Sequence, residues 1–162
     1  MVVLRYAYVV ALVVWVGGLI AAGAFVAPAL FGVLQAEAGT AGRVLAGAAF
    51  GEVLRRVLIA GEVAGVIMFV TMTLLRLLGP KPVSYGIRAA LIVAMLAVNA
   101  YTAHIVLPEA DGLRREMAGP VANVAATDPR RTRFDHLHSL STTLVTAIGL
   151  AGIALAAWEA RE

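Results

Sequence analysis

Residues 6–34 form a run of 29 amino acids without one Asp, Glu, Lys or Arg. A bilayer hydrocarbon core of roughly 30 Å is crossed by about 20 helical residues, so this stretch alone suffices for a crossing. Within lipid every backbone donor and acceptor must be satisfied by the chain itself, and a continuous apolar run achieves that as a helix. A secretory leader would carry only about 7–15 apolar residues, which sets aside the small-residue triplets at 22–24 and 27–29 as a cleavage site. The run also exceeds one perpendicular crossing, and tilt or a break near Pro28 is expected to absorb the excess.

Three further apolar segments are long enough, at about 57–75 (interrupted only by Glu62), 89–107 and 137–158. With 61% hydrophobic and 14% charged residues and a mean hydropathy of +0.89, the whole chain has the composition of a membrane protein. The sequence therefore predicts a single domain over residues 1–162: an all-α, integral membrane, antiparallel four-helix bundle.

Four crossings put both termini on one side, here side A. The connection 76–88 lies there too, with Gly79-Pro80 and Lys81-Pro82 marking a tight turn. The two connections on side B are expected to carry short interfacial helices. One lies in 35–56 and leads into the second span. The other lies in 108–133 and is followed by Pro120 and Asp128-Pro129 as breakers. The short side-A loop is purely basic, which points side A and both termini to the cytoplasm of a cell membrane.

Several classes are excluded. The chain has no cysteine, hence no disulfide, iron–sulfur cluster or thiolate zinc site. Its pI of 9.8 does not indicate nucleic acid, because the arginines flank apolar runs instead of forming a basic stripe interleaved with aromatics. The bilayer is the expected partner. No G-x-S-x-G, H-E-x-x-H, P-loop or dinucleotide fingerprint is present. Gly17-Gly18, the Gly61/Gly65 pair and the Gly149/Gly152 pair offer close helix approach, within the monomer or in a homo-oligomer.

Ionisable residues inside a membrane usually face a bundle interior or a wet cavity. At 1.5 Å per residue, Glu62, His104 and His138 are each expected within about 10 Å of side B. His136 and His138 lie about 200° apart on a helix, so only one can face inward. His138 shares a stripe with Asp135, Thr142, Thr146 and Gly149 and is expected inside, with His136 at the rim. Asp135 either orients the His138 imidazole or caps the helix. Ser141 follows His138 by one turn; Tyr101 shares a face with His104, and Asn99 is expected to bridge helices by hydrogen bonds.

Two imidazoles and a carboxylate suit a divalent transition metal, with Glu62, His104 and His138 as ligands. The same trio could relay protons. A b-type haem held axially by His104 and His138 is a variant of the idea. The competing expectation is a non-catalytic accessory subunit of a larger membrane complex, in which the polar cluster only sets helix register.

The segments "WVGGLIAAGAFVAPALF" (15–31), "AGRVLAGAAFGEVLRR" (41–56), "VNAYTAHIVLP" (98–108) and "FDHLHSLSTT" (134–143) occur in that order. The pattern resembles the domain of unknown function 4149 family of small four-helix membrane proteins, which includes transmembrane protein 205-like members. The resemblance rests most on Asn99 with Pro108, and on Phe134, Leu137, His138 and Ser141 opening the last span. It implies the fold and the place of a site, and no settled activity.

Overall fold

In the computed structural model, residues 2–79, 84–117 and 119–160 are described. The expected turn at Pro80, Lys81 and Pro82, and Arg161, lie outside them. The elements are α1 (Val2–Ala21), a π-turn (Ala22–Val26), α2 (Ala27–Leu78), α3 (Tyr85–Tyr101), a second π-turn (Thr102–Val106), α4 (Leu107–Glu116), a 3-10 turn (Val121–Asn123) and α5 (Pro129–Glu159). No strand occurs among the described residues. Three helical stretches are long and apolar enough to cross a membrane: Val2–Leu78, Tyr85–Glu116 and Pro129–Glu159.

The first of these is bent back on itself. Ala38 (φ −130°, ψ 15°) and Gly39 (φ 54°, ψ −127°) leave helical geometry, and Gly39 takes a positive φ that glycine adopts without steric cost. Gly42 completes the corner, because a Cβ there would collide with the carbonyl of Leu34. Beyond the corner the two arms pack. Trp15 lies over Gly61 and Gly65, and a Cβ added at Gly18 would stand 3.4 Å from Val57. Each pair is nearly equidistant in sequence from residue 38, as an antiparallel hairpin requires. Residues 35–56 thus hold the corner of this hairpin and the start of its second arm, which runs into 57–75 without a further break. Glycine corners of this kind leave no hydropathy signal.

Both prolines inside apolar runs sit just after a π-turn. Proline has no N–H to give to the carbonyl four residues back, and its ring crowds that carbonyl. The helix widens by one residue in the preceding turn: Ala27 N–H donates to Ala22 O before Pro28, and Leu107 N–H to Thr102 O before Pro108. Neither proline ends its helix. The break expected at Pro28 is a bulge, and the 89–107 span continues through Pro108 to Glu116.

α5 begins two turns before the expected 137. Asp128 accepts the Arg130 N–H at 2.8 Å as its N-cap and Pro129 takes the first helical position, so the pair expected to break structure starts it.

The core is a layer of Tyr8, Leu12, Trp15, Leu58, Met68, Ile92 and Ile148 with their neighbours. Small residues let the helices meet, Gly65 against Leu96 of α3 and Gly152 of α5 against Val16 and Met95. At one end of the molecule, Glu159 ties three elements together. It receives Arg5 Nε at 2.8 Å and Arg88 Nη2 at 2.5 Å, and the Arg88 guanidinium lies 5.2 Å from the Tyr8 ring centroid. Arg88, expected in a basic loop, is only 2% exposed. The start of α1 and the end of α5 therefore meet there.

Candidate functional site

The helix interface is fixed first by Asn99, fully buried on α3. Its Nδ2 donates to the Leu58 carbonyl on α2 at 2.8 Å, and its Oδ1 accepts the Trp15 indole N–H from α1 at 3.3 Å. One amide thus joins three helical segments, as its isolation in an apolar span suggests. Trp15 is 1% exposed, and its role as the partner of Asn99 was not legible in its own apolar surroundings.

Glu62 follows Gly61 in sequence, so it points about 100° away from the face that receives Trp15. There it meets His104, which the π-turn carries: His104 Nε2 and Glu62 Oε1 are 2.8 Å apart. The side chains are 58% and 27% exposed, so the pair stands at the protein surface of the helix bundle and not within a dry interior. Tyr101, one turn before His104, is exposed on the same helix.

His138 does not join them. It is exposed, stacked on Phe134 with ring centroids 6.2 Å apart and planes 6° from parallel. The residues of α5 that face the core are Leu137, Ser141, Ile148, Gly152 and Leu155, a stripe about 100° from His138. The expectation of an inward His138 is corrected accordingly. In a membrane helix both the lipid face and the packing face are apolar, so hydropathy alone does not say which stripe is buried.

Asp135 lies 3.8 Å from Arg131, and the N-cap of α5 is Asp128 instead. His136 is exposed, and Arg133 holds Glu109 at 2.7 Å. Ser141 and Thr142 donate back to the His138 carbonyl at 2.9 and 3.0 Å, the ordinary use of hydroxyls in apolar helices.

Among the described residues no group of three His, Cys, Asp or Glu is placed to hold a metal ion. The expected trio is a pair, Glu62 with His104. His138 instead lines a cleft of about 1520 Å³ whose lining includes neither Glu62 nor His104. The cleft runs between the α1–α2 hairpin and α4–α5.

The domain of unknown function DUF4149 family model matches residues 10–119. The chain belongs to the DUF4149 family. The matched residues include Trp15, Glu62, Asn99 and His104, whereas Phe134, Leu137, His138 and Ser141 lie beyond them. The DUF4149 match thus covers the residues that build the Asn99 junction and the Glu62–His104 pair. No curated protein and no solved structure matches the chain.

Proposed function

We propose that this DUF4149 protein is a multi-pass protein of the cell membrane that takes up and releases a proton at Glu62–His104, close to side B. The reading has four antiparallel crossings, the two arms of the bent hairpin, α3 and α5, with both termini on the cytoplasmic side. The single observation that carries it is the 2.8 Å hydrogen bond between an imidazole and a carboxylate from two different helices. Such a pair can share one proton between two acceptor atoms, and ionisable residues at membrane depth tend to be retained for such transfers. The partial exposure of both side chains supports exchange with water.

A proton is favoured over a transition metal because two protein donors are fewer than zinc sites use. Metal would find Glu62 and His104 and would complete its shell with water.

The test is proton flux into liposomes loaded with a pH-sensitive dye, with an imposed potential. The protein is expected to accelerate flux over empty vesicles, and Glu62→Gln and His104→Gln each to remove most of the gain. Flux equal to that of protein-free vesicles overturns the proposal.

A further inference from the structure

The cleft beside His138 carries a different chemistry. α1 and α5 touch where Gly152 receives Val16, and the cleft lies beyond that contact. Leu19, Gly23 and Ala27 line one wall of the opening and Ser141, Val145 and Thr146 the other. Towards the hairpin tip the lining becomes charged, with five arginines (Arg43, Arg55, Arg114, Arg115, Arg131) and three carboxylates (Glu52, Asp111, Asp135).

The charges do not cancel. Arg55 holds Glu52 at 3.0 Å, Arg114 holds Asp111 at 2.6 Å, and Arg131 lies 3.8 Å from Asp135. Each carboxylate has its own guanidinium, and Arg43 and Arg115 are left exposed with no ion pair among the described residues. A groove with an apolar lower half and two uncommitted guanidinium groups at its upper end complements an anionic amphiphile.

The dimensions agree. From Leu19 to Gln35, both in the lining, the helix rises about 24 Å. One leaflet with its headgroup layer is about 20–22 Å deep. The volume of about 1520 Å³ is above the roughly 300–1,000 Å³ of small-metabolite pockets.

We propose that this cleft binds one anionic phospholipid of the side-B leaflet, its phosphate between Arg43 and Arg115 and an acyl chain between α1 and α5. The assignment rests on the membrane-spanning reading and is independent of proton exchange at Glu62–His104.

The test is native mass spectrometry of the detergent-purified chain titrated with dioleoyl phosphatidylglycerol, dioleoyl phosphatidylcholine or inorganic phosphate. The expected result is one bound phosphatidylglycerol, retained about tenfold or more better than phosphatidylcholine, with phosphate alone not competing at equal concentration. At roughly 1 kcal/mol per arginine near a charged surface, the Arg43→Gln, Arg115→Gln double variant should lose about tenfold or more in affinity. Thr146→Phe, which fills the groove without touching the arginines, should weaken retention with helicity by circular dichroism unchanged, and keeps the test decisive if the double variant misfolds. Equal retention of both lipids, equally tight phosphate, or a lipid-free dimer seated through this face overturns the proposal. Failure of the chain to float with liposomes would instead remove the membrane reading beneath it.

Discussion

Trp15 and Asn99 are joined by a buried hydrogen bond of 3.3 Å that links the first helix to the third. Because Asn99 also donates to Leu58 O at 2.8 Å, a single side chain sets the register of both hairpin arms against α3.

Asn99→Ala leaves the indole N–H and a backbone carbonyl without this partner in an apolar layer. A loss of about 1–3 kcal/mol is expected in unfolding from detergent micelles. In a double-mutant cycle with Trp15→Phe, a coupling of about 0.5–2 kcal/mol is expected. Zero coupling would show that the two side chains do not act as a unit.

Gly61 and Gly17 should respond oppositely to the same change. A Cβ on Gly61 collides with the Trp15 indole, whereas nothing lies within 4 Å of one on Gly17. Gly61→Ala is expected to destabilise by about 1–3 kcal/mol through overpacking. Gly17→Ala should be neutral or stabilise by up to about 1 kcal/mol, since alanine is the better helix former. Thermal midpoints of the two variants measure the contrast.

Glu159→Gln removes a carboxylate from Arg88, which is buried to 2% exposure. Breaking a buried pair by removing one partner costs about 3–5 kcal/mol, whereas replacing both partners with apolar groups is far milder. Glu159→Gln alone should therefore unfold more readily than the Arg88→Met, Glu159→Leu double variant. Equal losses in chemical denaturation would contradict an energetic pairing.

Acid should loosen the start of α5. The Asp128 carboxyl is held at about 2, from an ordinary 3.8, chiefly by its hydrogen bond with the Arg130 side chain and then by the Arg130 N–H. A folded-state value below the unfolded one means the contribution is complete above about pH 4 and fades as pH falls towards 2. Amide exchange at residues 130–132 is expected to accelerate over that window, relative to its intrinsic rate. Asp128→Asn, which keeps a capping oxygen but not the charge, should flatten this dependence.

The apolar spans and the junction at Asn99 were legible because each rests on a local rule: length against bilayer thickness, and a lone amide that must find a partner. The hairpin corner was not legible, since Gly39 and Gly42 sit among other small residues and only their backbone geometry distinguishes them. Asp128-Pro129 reads equally well as a stop or as a cap with proline at the first helical position, and the fold takes the second. The Glu62–His104 pairing followed from depth along two helices. His138 did not, because its placement required knowing which stripe of α5 is buried, and Leu137 occupies that stripe.

The π-turn at Ala22–Val26 makes chain length itself a structural variable. It stores one extra residue in a widened turn, so deleting one residue there would restore ordinary helical bonding and nearly keep the phase of the helix on either side. Trp15 would stay on Asn99. A deletion in the regular helix has no such reserve and would swing everything before it by about 100°, so a gap at this turn should be tolerated better than one elsewhere between Trp15 and Gly39.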